Sequence, residues 1–343
     1  MKNNVKELCS IYGVSGHEAD VASFIMEQIS PFCECSVDNL GNVIAFRKGK
    51  NSSKRNVAFF AHMDEVGFLV SNVASNGSLK LAEVGGTNAN ILVGQSLVVC
   101  ARERLIPGVI GVEPIHLQNS DERYRPVRIE DLSLDIGCSS RQEAENLVEP
   151  GDMVCFCENF NQFGKGLIAS KALDDRVGCA ILIELIRTFD EFDFHAAFTT
   201  TEEIGNSGAK AAAQSLNPEI AIVIECTTAA DAPPTESENK ICALGQGPVI
   251  SFMDKGTIYD KELVDLAFKV AKENDIKIQH KKGVYGANDS SVIRTSGVGI
   301  KTLAVSVPVR YLHSQSSVAG IDDIDQTLQL LKSLMLKICG GGV

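Results

Sequence analysis

Residues 196–225 read AAFTTTEEIGNSGAKAAAQSLNPEIAIVIE. The short runs AAFTTT (196–201) and IAIVIE (220–225) are apolar in the way of strands buried on both faces. Between them, GAKAAAQSL (208–216) reads as a helix. Strand, helix and strand in about thirty residues make a βαβ unit. Both strands run into acids: Glu202 and Glu203 after the first, Glu225 at the end of the second.

The same rhythm extends in both directions. Toward the C-terminus the sequence predicts a strand at 248–253, a helix at 260–273, a short strand at 276–280, a strand at 301–306 and a closing helix at 323–338. Upstream, a Gly/Lys/Ser-rich turn, GKGLIASKAL, leads into a helix after Asp174 (DDRVGCAILIELIRTF). The first sixty residues give helices at Val5–Tyr12 and Ala19–Ile29, an alternating stretch at Cys35–Phe46 and a buried strand at Asn56–Ala61. Alternating β and α elements imply an α/β fold, a mixed, largely parallel sheet flanked by helices. From Gly67 to Glu158 the texture changes to short β-like runs (FLVSNV, SLKLAEV, SLVVCA, PGVIGV, MVCFC) between Gly, Asn, Ser and Pro. That is an inserted all-β domain. The expected organisation is an α/β domain from 1–66 and 164–343, interrupted by a β-rich insert at 67–163.

Composition removes several function classes. The 343 residues are 44% hydrophobic and 22% charged, a globular balance, which excludes disordered and low-complexity classes. The net charge of −12 has no clustered Lys and Arg to grip phosphates, so no nucleic-acid partner is expected. No apolar run reaches the ~18 residues of a membrane span, and MKNNVKELCS lacks the apolar core of a signal peptide. Eleven cysteines stand mostly beside apolar neighbours without zinc-ribbon spacing, as free thiols do in a reducing cytoplasm.

The residues that could carry chemistry stand where buried strands end, which is where open α/β sheets place their sites. His62 follows the strand NVAFFA, and Asp64, two residues on, could hold its other ring nitrogen. Asp174 and Asp175 open a helix, where they could serve as cap and first-turn acid or bridge two cations. Adjacent Glu202 and Glu203 repel unless a proton or cation intervenes. Glu225 emerges from five apolar residues, and His313 lies in VRYLHSQSS after an apolar strand. Two imidazoles and three carboxylates suit Zn²⁺, Co²⁺ or Mn²⁺. One shared Asp would make a two-metal hydrolytic site.

The ordered words AHMDEVGF, KALDDRVG, TTEEIGNSGA, ECTTAAD and RYLHS, together with GVSGHE, GGTN and GAND, resemble the dinuclear-metal aminopeptidases. That family comprises the tetrahedral (TET), glutamyl and deblocking aminopeptidases, some of them labelled cellulase M or endoglucanase. The resemblance spans nearly the whole chain. It implies a zinc-exopeptidase-like fold, peptide substrates, and two divalent ions, zinc or cobalt with manganese as a further option. By the same resemblance His62, Asp174, Glu203, Glu225 and His313 are metal ligands, with Asp174 bridging. Glu202 is the general base, Asp64 orients His62, and the Asp174–Asp175 peptide is cis. The insert becomes a dimerisation domain, and dimers build a homo-oligomeric dodecamer. Two departures stand out: Glu225 replaces the Asp of many relatives, and SQSSVAG after His313 replaces a Pro-containing run. Competing readings are a glycoside hydrolase using a pair of these acids, and a non-catalytic metal-stabilised peptide-binding assembly. The absence of Trp and the 6% aromatic content disfavour sugar stacking.

Overall fold

The structure, a computed structural model, describes all residues except 103, 115, 119–124, 233–234, 236–238 and 343. Its strands are β1 (Glu34–Val37), β2 (Val43–Arg47), β3 (Val57–His62), β4 (Gly67–Val73), β5 (Leu79–Val84), β6 (Ser96–Ala101), β7 (Arg104–Gly111), β8 (Ser133–Asp135) and β9 (Met153–Phe156). They continue with β10 (Asn161–Phe163), β11 (Leu167–Ser170), β12 (Phe194–Thr199), β13 (Ile220–Thr228), β14 (Val249–Ile250), β15 (Gln279–His280), β16 (Lys301–Arg310) and β17 (Ser317–Gly320).

Eleven of these form one mixed sheet in the order β1-β2-β12-β3-β13-β16-β17-β11-β10, with β14 and β15 branching from β16. The centre, β12-β3-β13-β16, is parallel. Both flanks are antiparallel. The parallel centre follows from composition: every residue of β3 is buried, as is β13 through Thr227. Strand alternation sends Phe59 and Ala61 to one face and Ala58 and Phe60 to the other. On the first face they meet helices Lys2–Ser10, Ala19–Ile29, Leu173–Thr188, Lys261–Glu273 and Ile321–Cys339. On the second they meet Ser207–Leu216 and Ser290–Ile293. The expected α/β architecture, helices on both faces of a mixed sheet, is what the chain forms.

The second body is a closed barrel, β4-β5-β8-β7-β6-β9, with its own apolar core around Phe68, Leu97, Leu134 and Phe156. It returns to the sheet earlier than the 67–163 limits anticipate, because β10 pairs with β11 in the large sheet. β11 itself corrects a reading. GKGLIASKAL is a hairpin strand rather than a turn: its Ile168 and Ser170 are buried and it pairs along its length with β17. The stretch 35–46 splits into a hairpin whose turn is tied by the Asp38 carboxylate to the amides of Leu40 and Asn42.

β3 is flanked by β12 on one side and β13 on the other, both later in the chain. This reversal of strand order opens a crevice at the C-terminal strand ends.

Candidate active site

His62 is the last residue of β3, level with Thr199 at the end of β12. Glu202 and Glu203 lie on the turn after β12, which begins at Thr201 with a positive φ of 57°. Glu225 sits within β13, on a buried strand. His313 follows β16 on a tight turn, also at positive φ. Asp174 lies in the distorted first turn of the helix Leu173–Thr188, just after β11. The peptide Asp174–Asp175 is cis, and neither residue has helical torsions.

The fold brings His62, Asp174, Glu202, Glu203, Glu225 and His313 into one crevice, with Asp64 buried behind His62 and Asp175 behind Asp174. Asp174 is central. Its Oδ1 lies 3.5 Å from His62 Nε2, and its Oδ2 3.3 Å from His313 Nε2. His62 Nε2 is 3.8 Å from Glu225 Oε2, and His313 Nε2 is 3.3 Å from Glu203 Oε1. Four groups have their donor atoms within 4.8 Å of one another; two of them, His62–Asp174–Glu225 and Asp174–Glu203–His313, join a histidine to Asp174, and the others are His62–Glu202–Glu203 and Asp174–Asp175–Cys226. Both imidazoles turn Nε2 inward because Nδ1 is engaged. His62 Nδ1 meets the Asp64 carbonyl at 3.1 Å and its carboxylate at 3.4 Å. His313 Nδ1 meets the Gly86 carbonyl at 2.8 Å.

Asp64 does more than orient an imidazole. Its carboxylate accepts the Ser15 hydroxyl at 2.6 Å and the amides of Glu202 and Glu203 at 3.0 and 3.1 Å. The end of β3 thus clamps the acidic turn after β12. Glu202 is held from its side chain as well: Asn206 Nδ2 donates to its Oε1 at 3.1 Å and to Asp289 Oδ1 at 3.0 Å. Asp289, fully buried, also accepts the Thr199 hydroxyl.

Several oxygens in the crevice are shielded from water and have no donor: Asp174 Oδ1, Asp175 Oδ2 and Glu225 Oε1. A buried carboxylate oxygen without a partner is costly, and a cation is the usual remedy. The titration behaviour agrees. Burial pushes Glu202 up to about 8 and Glu203 up to about 7, neighbouring carboxylates adding to both rises. Burial likewise holds Glu225 and Asp175 well above the carboxylate range. For Asp174, burial is outweighed by the facing imidazoles of His313 and His62, which keep it below that range. For His313, burial would lower the value, but Asp174 and Glu203 lift it to about 9. Asp174, Glu203, Glu225, His62 and His313 are a donor set that can hold divalent cations.

The sequence model of the family described as M42 glutamyl aminopeptidase matches residues 41–330. The chain belongs to the M42 glutamyl aminopeptidase family. Membership makes it a peptidase of the aminopeptidase class. It is 32% identical to lysyl aminopeptidase of Pyrococcus furiosus, over 96% of this chain and 95% of that one. Its fold is similar to the TET aminopeptidase of a marine sediment archaeon, Thaumarchaeota archaeon SCGC AB-539-E09. There the TM-score is 0.94, at 29% identity over 100% of this chain and 98% of that one. It is also similar to the TET1 peptidase of Pyrococcus horikoshii, with TM-score 0.86 and 32% identity over 97% of this chain and 98% of that one. That protein can assemble into a tetrahedron or a large octahedral shell.

Sequence reasoning missed the supporting residues. The GGTN and GAND words carried no role until the fold put Gly86 against His313 and Asp289 behind Asn206. Glu65, Lys171 and Arg176 were missed as a unit. Lys171 Nζ bonds both Glu65 oxygens at 2.7 and 2.9 Å, and Arg176 donates to the carbonyls of Met63, Leu8, Ile11 and Gly13. The Arg of DDR therefore pins the first helix and the end of β3. No local pattern announces such partners, which lie more than a hundred residues away.

Proposed function

We propose that this chain is a dinuclear metalloaminopeptidase that releases N-terminal residues from peptides. The observation that carries the reading is the sharing of Asp174 between two His–carboxylate triads that contain donorless buried oxygens. His62, Asp174 and Glu225 would hold one divalent ion, and His313, Asp174 and Glu203 the other. Zinc or cobalt suits this mixture of imidazole and carboxylate, and manganese is also compatible. Bound there, the pair would supply Lewis acidity that polarises a scissile carbonyl and lowers the pKa of water toward ~7.

Glu202 belongs to neither of these triads. Its Oε1 is occupied by Asn206, so Oε2 is left to take the proton from attacking water and return it to the leaving amine. A proton affinity near neutrality suits a group that must both accept and give. Asp64 keeps the His62 ring turned and the acidic turn fixed. The concentration of carboxylates favours a free α-ammonium, which an internal residue of a peptide lacks. The glycoside hydrolase reading finds little support: Tyr285 is the one Phe, Tyr or Trp lining this cleft of about 260 Å³ among the described residues.

Metal-stripped protein should be inactive on aminoacyl-anilides and regain turnover on addition of Zn²⁺, Co²⁺ or Mn²⁺. Glu202→Gln should keep two ions per chain by elemental analysis and lose about 10²–10⁴-fold in kcat. Full activity in that variant removes the base, and chelator-resistant cleavage of cellulose would favour the glycosidase.

The barrel presents exposed Leu105 and Val109 on β7, at 60% and 50% exposure. The reading assigns dimerisation to this barrel and a dodecamer to the dimers, as the TET1 likeness suggests. Light scattering should give twelve chains; a monomer would defeat the assignment. Eleven free thiols suit a cytoplasmic location, and no helix of the described residues is long and apolar enough to cross a membrane.

A further inference from the structure

One buried carboxylate beside the crevice takes no part in the chemistry above. Asp289 closes the word GAND and immediately precedes the short helix Ser290–Ile293. It is fully buried, and among the described residues it belongs to none of the groups that could hold a metal ion. A neutral residue would fill that space at less cost unless the carboxylate oxygens are needed. Both are taken by neutral donors. Oδ2 accepts the Thr199 hydroxyl at 2.6 Å, and Oδ1 accepts Asn206 Nδ2 at 3.0 Å. The same Asn206 nitrogen gives its other hydrogen to Glu202 Oε1, at 3.1 Å. Thr199 ends β12, three residues before Glu202. The contacts close a ring that runs from the end of the strand through Asp289 and Asn206 to the proposed base.

Glu202 needs such a hold. Asp64 fixes its backbone amide, which leaves the side-chain torsions free. The turn that carries it reaches the surface, with Ile204 58% exposed. Among the described residues, Asn206 is the one hydrogen-bond donor to the Glu202 carboxylate. Asn206 is itself only half-buried, at a positive φ of 59°. An acceptor behind it keeps its carboxamide from swinging away. Turned over, the carboxamide would point its oxygen at two carboxylates, so the stable orientation is the one in which the nitrogen faces both. We infer that Asp289 is a positioning residue: through the Asn206 carboxamide it fixes the Glu202 carboxylate, so that Oε2 faces the attacking water. Asp289 does not line the cleft, so its effect passes through Asn206. The inference rests on the aminopeptidase reading with Glu202 as base, and goes beyond it by naming the pair that sets the orientation of that base.

The test uses the full-length metal-loaded protein with an aminoacyl-anilide that the parent cleaves. Asn206→Gly removes the carboxamide and tolerates the left-handed backbone. Asp289→Ala removes the acceptor behind it. Each should keep two ions per chain by elemental analysis and a KM within about threefold of the parent's. In each kcat should fall about tenfold or more, because a misplaced base slows only the chemical step. The double variant should be no slower than the slower single, since both changes break the same connection. Asp289→Asn still offers an oxygen to Asn206 and should return kcat to within about threefold of the parent. An unchanged kcat in either single variant overturns the inference. So do losses that multiply in the double variant, or a loss in Asp289→Asn equal to that in Asp289→Ala. A loss of metal, or a rise in KM in place of the fall in kcat, overturns it as well. Should Asp289→Ala not fold, Asp289→Val, which fills the space, replaces it. All these outcomes leave the aminopeptidase reading standing. A parent with no turnover on any anilide with Zn²⁺, Co²⁺ or Mn²⁺ defeats that reading, and this inference with it.

Discussion

Charge burial at single residues holds the crevice together. Lys171 and Arg176 are fully buried beside Glu65, and nearly every donor they carry is spent on its carboxylate or on the carbonyls of Leu8, Ile11, Gly13 and Met63. Lys171→Met would strip Glu65 of its shortest ion pair and leave it only Arg176, at 3.6 Å, and the Gly13 amide. It should cost about 3–5 kcal/mol in a denaturant titration of the metal-loaded protein, and Lys171→Met/Glu65→Leu should recover much of that. A single variant as stable as the parent would show that Glu65 finds another partner. The candidate residues themselves were legible: His62, Asp64, Asp174, Glu202, Glu203, Glu225 and His313 lie together in the structure. Their supports were not, because Ser15, Gly86, Asn206 and Asp289 look like ordinary turn residues until a distant strand delivers their partners.

At the level of elements, the strand ends do the positioning. β3, β12, β13 and β16 are parallel, so their C-terminal ends open on one side and deliver His62, the Glu202–Glu203 turn, Glu225 and His313 to the same crevice. The apolar runs of β3 and β13 announced themselves because a strand covered on both faces has no polar alternation. The short antiparallel strands β10, β11 and β17 did not. Four residues or fewer carry too little pattern, and in GKGLIASKAL the Gly and Lys residues mask the strand. Yet β11 sets where Asp174 begins. The barrel also reaches the site through the loop after β5, where Gly85 packs against Glu203 and Gly86 caps His313. Gly85 needs its positive φ of 76°, and a Cβ there would sit 3.2 Å from the Glu203 carboxylate. The insert is therefore part of the site.

Across the whole molecule, the clustered charges set a pH dependence. Glu202 and Glu203 titrate at about 8 and about 7 when folded, against an ordinary 4.5. Between those values the folded chain binds protons that the unfolded chain has released, so stability falls as pH rises. His313, at about 9 against 6.5, acts in the same direction: its contribution is complete below 6.5 and lost above about 9. Asp174 opposes them only below its ordinary 3.8. The melting temperature of metal-stripped protein should therefore drop from about pH 5 to about pH 9, and saturating Zn²⁺ should flatten the drop. A flat or rising profile without metal would mean that these carboxylates are not forced together. The sequence by itself determined the layered α/β body and the β insert, and it singled out the candidate residues at the strand ends. Apolar continuity, turn chemistry and acids at strand ends are local signals that survive in one dimension. Only the tertiary structure decided that Asp174 faces both histidines, that the barrel loop caps one of them, and that Asp289 stands behind Asn206. Those are contacts between residues far apart in the chain, and their energies depend on burial, which no linear pattern records.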